Sequence, residues 1–345
     1  MPAGILPPAV VVLATLKTDS RSLFPQKINK PAFQSKKLSL FFDRTFVLSV
    51  PQRENGKTGS FHFFARKASE SLFCPLAHCC NKMQNASMKI LAIANHKGGV
   101  GKTATARALG DVLAATGARV LMVDSDHQGS LSLSCGVLSP ARDLSNVYAV
   151  GGRKPAGLAD VAVKVSDNLD LVPAGLTLAA ADAELASRPG REFFLADALS
   201  SVTRRYDLVI IDCPPALGVL VTNALCAAHS VIIPAQPNPV DLAGVAMFLD
   251  TIGAIRANKR MNPTLTLFGV LLTFFDGRLK THESSKAAMI AAGWPVLPMT
   301  VPRSVRVAES AAVGESITKF EPGSPAASAY LALGEVVQAW LKSKG

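Results

Sequence analysis

Cysteine is scarce in this sequence, with six in 345 residues. Domains that depend on disulfides are far denser in cysteine, so a disulfide scaffold is excluded. Aromatic residues are few as well: two tryptophans, three tyrosines and sixteen phenylalanines. No apolar run reaches the eighteen or so residues that a membrane-spanning helix needs. Charged residues make up 18% of the chain, below the usual quarter, while hydrophobic residues make up 49%. That balance excludes a wholly disordered chain, and the length suits one large domain or two ordinary ones. Acid is outnumbered by base, 25 to 36, for a net charge of +11. Taken at face value, such an excess points to nucleic acid or an anionic surface.

The excess is unevenly placed. Residues 1–87 hold twelve lysines and arginines against four acids, and so carry +8 of the +11. They keep neither helical nor strand periodicity for long. The apolar opening at residues 5–13 has no basic residue before it and contains two prolines, which argues against a secretory signal. Three accounts of the segment remain: a start assigned ahead of the true one at Met88, an organelle leader, which its basic, acid-poor composition loosely matches, or a functional tail. Cys74, His78, Cys79 and Cys80 lack a second paired element at finger spacing, so zinc is not expected there.

From Met88 onward, short apolar runs alternate with amphipathic stretches. Strands are predicted over 89–94, 119–124, 169–172, 208–212, 230–234, 267–273 and 296–298. Helices are predicted over 103–116, 176–186, 193–204, 217–228, 242–257, 281–292 and 326–342. Valine-, isoleucine- and leucine-rich strands without polar alternation are buried on both faces, and strand–helix repetition implies parallel pairing. The expected fold is one doubly wound α/β domain over residues 88–345, with its ligand at the carboxyl ends of the strands.

The first strand runs into Asn95-His96-Lys97-Gly98-Gly99-Val100-Gly101-Lys102-Thr103-Ala104. Strand, glycine-rich turn and helix follow in the order a phosphate cradle requires. The glycines turn backbone N–H groups inward, and the helix N-terminus adds a fixed positive end. Lys102 would bridge phosphate oxygens and the Thr103 hydroxyl would ligate Mg²⁺. The strict G-x4-G-K-[ST] spacing fails, because His96 stands where its first glycine belongs, and a second lysine, Lys97, sits inside the loop. A second strand ends in Asp124-Ser125-Asp126-His127-Gln128-Gly129-Ser130, delivering two carboxylates to the same side. A third ends in Asp212-Cys213-Pro214-Pro215, four apolar residues and then an acid suited to hold Mg²⁺ through water.

These motifs resemble those of the ParA/MinD family of deviant Walker A ATPases, and the resemblance runs through nearly all of residues 88–345. It implies ATP and Mg²⁺ as ligands and slow, partner-stimulated hydrolysis. ATP would be bound by residues 97–104, with Ala104 contributing its backbone N–H alone. Lys97 would reach across an ATP-dependent homodimer to the partner's phosphates, Asp126 would orient the attacking water, and Asp124 and Asp212 would arrange the metal shell with Thr103. Pro302 and Ser304, in a Val301-Pro302-Arg303-Ser304-Val305-Arg306 stretch, would lie beside the adenine. His127, Ser130, Ala104 and Ser304 depart from the family pattern.

The last residues suit a core helix better than the basic membrane-surface helix of MinD-like proteins, so stable membrane association is not expected. Cysteines at iron–sulfur spacing and a tyrosine cluster are missing, which sets aside the nitrogenase-reductase and tyrosine-kinase branches. The resemblance is then strongest to ParA/Soj partitioning ATPases. It implies non-specific DNA binding, a ParB-like centromere-binding partner, and a cytoplasmic, nucleoid-associated location unless residues 1–87 direct import. Arg256, Lys259 and Arg260, with Arg278 and Lys280, are the candidate DNA contacts. Two alternatives keep the same core: a switch that positions a protein cargo, and an ATP-dependent amidoligase or synthetase.

Overall fold

The computed structural model describes residues 52–54, 57–59 and 88–343. The chain divides into two units, Met1–Ser71 and Leu72–Gly345. In the first, β1 (Gln52–Glu54) and β2 (Lys57–Gly59) pair antiparallel with Gln52 opposite Gly59. The three accounts of residues 1–87 concern residues that otherwise lie outside those described, as does the Cys74, His78, Cys79 and Cys80 group.

In the second unit the sheet is built from β3 (Lys89–Ile93), β4 (Val120–Asp124), β5 (Val163–Ser166), β6 (Leu169–Val172), β7 (Leu208–Asp212), β8 (Ser230–Ala235), β9 (Thr266–Phe275) and β10 (Val296–Pro302). Their order is β10-β9-β8-β3-β7-β4-β6-β5, parallel throughout except that β5 pairs antiparallel with β6. Seven strands lie where the apolar runs predicted them. The eighth, β5, was not predicted, because an edge strand reading Val-Lys-Val-Ser with no fully buried residue carries little apolar signal.

The helices are α1 (Lys102–Ala115), α2 (Ser130–Ser134), α3 (Leu144–Tyr148), α4 (Leu158–Val161), α5 (Ala181–Ala186), α6 (Phe194–Ser200), α7 (Val219–Ala227), α8 (Pro239–Ala257), α9 (Lys280–Ala291), α10 (Arg306–Ala312), α11 (Ile317–Phe320) and α12 (Pro325–Lys342). The long ones match expectation within a few residues. The 176–186 helix is a 3₁₀ turn over Leu176–Ala180 followed by α5, and α6 stops at Ser200, short of Arg204. Four- to seven-residue helices such as α2, α4, α10 and α11 are too short to show a period of 3.6.

The central strands bury both faces. Ile90, Leu121, Val123, Val209 and Ile211 belong to one apolar cluster, and Leu91, Ile93, Met122, Leu208 and Ile210 to the other, which also holds α1 and α12. The alternation therefore places Asp124 and Asp212 on the α1 side of the sheet. The helix α12 buries Ala326, Ala327, Tyr330, Leu333 and Val337. Its C-terminus is tied to the first sheet strand by Lys89 Nζ, which donates to the Trp340 and Ser343 carbonyls at 2.6 and 2.8 Å and lies 4.8 Å from the Trp340 ring centroid. Among the described residues no helix is long and apolar enough to cross a membrane.

The α1–α12 crossing is close because Gly334 has no side chain: a Cβ there would fall 2.3 Å from Val112 Cγ1. A β-branched neighbour has little rotamer freedom with which to yield. Gly334→Ala is expected to lower the unfolding free energy by about 1–3 kcal/mol, as overpacking does, measured as a shift of the urea midpoint.

Candidate nucleotide site

β3 lies between β7 and β8, and the chain leaves β3 towards β4 on one side but passes from β7 to β8 on the other. A loop at the carboxyl end of such a strand has open space around it. Here that loop is residues 94–101. Asn95 braces it, donating from Nδ2 to the Pro234 carbonyl at 2.7 Å and accepting the Lys97 N–H at 3.2 Å. Gly99 and Gly101 adopt φ +69° and +85°, and Gly101 is the residue from which α1 starts. A side chain at Gly101 would be strained by that φ; it faces Thr273, whose hydroxyl donates to the Val100 carbonyl at 2.9 Å.

The loop opens onto a cleft of about 700 Å³, a volume of the size that holds a nucleotide-sized ligand. Gly98, Gly99, Gly101, Lys102, Thr103 and Ala104 line it on one side, and Val301, Pro302 and Ser304 on another. Phosphate-loop residues and the proposed adenine neighbours are thus in one cavity, although some two hundred positions separate them in the chain. The Ser304 hydroxyl also accepts the Arg306 N–H at 3.2 Å, at the start of α10. Val100 is buried beneath the loop.

The two loop lysines face different ways. Lys102 is buried in the cleft wall, and its Nζ donates to the Lys97 carbonyl at 2.8 Å. Burial lowers its pKa, while the nearby Asp212, Cys213 and Asp126 oppose that shift. Lys97 turns outward and pairs with Asp241 on the first turn of α8. Asp241 was missed in the sequence because the helix was expected to begin at Leu242. The signal was present: Asn238 as cap, Pro239 at the first position and an acid in the first turn mark an earlier start.

The three aspartates have distinct surroundings. Asp124 is fully buried and accepts the Ser132 N–H and hydroxyl at 2.8 and 2.7 Å and the Asp126 N–H at 3.2 Å. Burial pushes its pKa up to about 6 against the pull of those bonds. Its hydrogen bonds hold the start of α2, and it is not part of the cleft lining. Asp126 lines the cleft and accepts the Gln128 N–H at 3.0 Å, while the neighbouring His127 ring lies 2.7 Å from Gln128 Nε2. Asp212 is buried with neither carboxylate oxygen in a hydrogen bond. Burial first and the charge of Asp124 second raise its pKa well above the usual carboxylate range, while the Thr103 hydroxyl and Lys102 pull the other way. An orphaned buried carboxylate beside a hydroxyl suits Mg²⁺ whose remaining ligands are phosphate oxygens and water. Among the described residues no cluster of three acids, histidines or cysteines could hold a metal alone.

Other parts of the cleft carry only weak signals in the sequence. Arg107 and Tyr330 line it. Arg107 is buried, paired with Asp111, and donates from Nε to the Ser134 carbonyl at 3.1 Å. An arginine and an acid four apart on an apolar helix face were the available clue. Phe274 also lines the cleft, at φ +51°, a conformation no sequence pattern announces for an aromatic residue.

The five candidate DNA contacts are exposed but do not form one patch. Arg256, Lys259 and Arg260 come before β9 and Arg278 and Lys280 after it, so the ten-residue strand sets them about 30 Å apart, at its opposite ends. Arg278 is also engaged, with Nε and an Nη donating to the two Asp276 carboxylate oxygens at 2.9 and 2.8 Å.

An ionised Asp212 weakens the folded state at neutral pH, because its folded pKa is raised and acidification relieves the strain by protonation. Asp212→Asn mimics the protonated form. It is expected to raise the nucleotide-free thermal midpoint by several degrees while lowering Mg²⁺-dependent ATP hydrolysis at least tenfold, read by calorimetry and phosphate release.

A family model described as an AAA domain matches residues 88–267. The chromosome-partitioning ATPase Soj of Thermus thermophilus is 40% identical over 259 residues, covering 74% of this chain and 98% of Soj. An uncharacterized protein of Mycobacterium tuberculosis is 40% identical over 248 residues, 71% of this chain and 77% of that one. Among solved structures, a cobyrinic acid a,c-diamide synthase from Mycobacterium smegmatis, with bound ATP analogue and magnesium, superposes with a TM-score of 0.66 at 34% identity, covering 74% of this chain and 96% of that one. The phosphate loop, the acid-tipped strands and these relatives agree: the chain belongs to the ParA/MinD family of P-loop ATPases.

Proposed function

We propose that this ATPase is a nucleotide-gated homodimer that binds DNA non-specifically and drives its partitioning. The observation that carries the reading is the different engagement of the loop lysines, Lys102 in the cleft wall and Lys97, half-exposed, outside the cleft lining and turned to Asp241. A protomer that needed both on its own nucleotide would bury both. One buried and one half-exposed lysine suit a nucleotide held in cis by Lys102 and reached in trans by Lys97. Two nucleotides brought face to face concentrate negative charge, and a lysine from the opposite protomer offsets it only while the triphosphate is present.

In this reading Lys102, the loop N–H groups and that of Ala104 hold the phosphates, and Asp126 orients the attacking water. Pro302 and Ser304 flank the base. Mg²⁺ bound by Thr103 and Asp212 would neutralise developing charge on the phosphate oxygens, with Asp124 keeping α2 and the Asp126 loop in place. Arg256, Lys259 and Arg260 are the better DNA candidates, since Arg278 already has a carboxylate partner. Similarity to Soj supports a centromere-binding protein as the stimulating partner and the nucleoid in the cytoplasm as the place of action.

The test is retention of non-specific duplex DNA with ATP and with ADP. ATP should raise retention at least tenfold, and the bound fraction should fall steeply with salt. Lys97→Ala should lose the ATP effect, and Asp126→Ala should keep DNA bound with ATP while turnover stops. Equal retention with both nucleotides would sink the reading. The likeness to the M. smegmatis synthase favours a second one, ATP-dependent amidation of a small carboxylic acid. ATP hydrolysis stimulated by cobyrinic acid plus an amide donor, and indifferent to DNA, would select it.

A further inference from the structure

The ion pair between Lys97 and Asp241 is lopsided. Asp241 has no exposed side-chain surface, whereas Lys97 keeps 41% of its own. The acid is held in place from its own helix: its N–H donates to Asn238 Oδ1 at 3.0 Å, and Asn238 Nδ2 donates to Asp241 Oδ2 at 3.2 Å. Oδ1 receives the Lys97 ammonium. A fixed, buried carboxylate thus faces a cation on a long flexible stem, and only the lysine is free to swing. The phosphate loop meets the same wall at two more points. Gln236 Nε2 donates to the Gly99 carbonyl at 3.2 Å, and the His96 ring packs edge-on against Phe248 with centroids 4.9 Å apart.

We infer that Asp241 is a positioning residue that stores Lys97 in cis, so that the phosphates of a second protomer's nucleotide must displace a buried carboxylate to recruit it. The inference rests on the trans role proposed above for Lys97. Removing the lysine leaves Asp241 buried without its cation, a state that costs free energy. Dimerisation therefore carries a threshold, which the extra charge of a triphosphate clears and a diphosphate does not. A ligand shifts such an equilibrium only by its differential affinity for the two states, and Asp241 sets the reference from which that difference is counted.

The experiment uses the full chain and follows dimerisation by analytical ultracentrifugation over a range of protein concentrations, with a non-hydrolysable ATP analogue or with ADP. Asp241→Asn keeps the shape of the side chain and removes its charge. It should lower the concentration for half-dimerisation about tenfold with the analogue, the scale of one charge-assisted hydrogen bond. It should also produce dimer with ADP, where the parent protein stays monomeric. Asp241→Ser, a second neutral replacement, should behave in the same way, and Asp241→Glu should return the threshold. Adding Lys97→Ala to Asp241→Asn should abolish the gain, and a merely structural role for Asp241 would weaken the dimer in both neutral replacements where storage tightens it. If Lys97→Ala prevents dimerisation but both neutral replacements leave it unchanged or weaker, storage by Asp241 is overturned while the trans lysine stands. If Lys97→Ala dimerises as the parent does, the trans-lysine reading fails and this inference with it.

Discussion

The constraint on which the rest of the structure depends is the crowding of carboxylates at the ends of two adjacent buried strands. β4 and β7 run side by side with Asp124 in register with Asp212, both on the same face and both inaccessible to water. Two acids so placed repel each other and lose their hydration. The protein answers for only one of them. Asp124 receives three hydrogen bonds, one from the turn that follows it and two from Ser132 of α2, whereas Asp212 receives none. What remains uncompensated is a negative corner with Lys102 and Thr103 nearby, a place that suits a cation shared with phosphate oxygens.

The loop and its helices are arranged around that corner. Gly101 allows α1 to begin immediately beside Asp212, so that Lys102 and Thr103 occupy its first turn. On the far side α8 begins with an acid that holds the second lysine out of the cleft. One short loop therefore presents one cation inward and one outward, each fixed by a different neighbour. The C-terminal helix α12 packs on α1 through Gly334 and contributes Tyr330 to the cleft wall, joining the end of the described chain to the phosphate loop.

Much of this was legible in the chain. The buried strands announce themselves as unbroken aliphatic runs, and Asp124 and Asp212 stand where those runs end. Lys102 and Thr103 follow the glycines that force the turn. Less legible were features with weak local signals: β5, an edge strand with polar residues, and short helices such as α2 that complete no second turn. Asp241 fell outside its expected helix by one residue, which concealed the partner of Lys97. The five surface cations looked like one group in sequence, but β9 carries two of them to the opposite end of the strand.

By itself the sequence determined the fold class, the glycine-rich loop after the first sheet strand and the acids that end two others, because periodicity, glycine conformation and strand ends are local properties of the chain. Tertiary structure alone decided which lysine enters the cleft, which aspartate is left without a partner and which cations can act together. The first depends on the contact of Lys97 with Asp241, 144 positions away, and the other two on burial and on where strand ends lie in space. The opening question of charge is resolved in the same way: the +11 lies mostly in residues 1–87, and what matters at the site is a few charges that folding pairs or leaves unpaired.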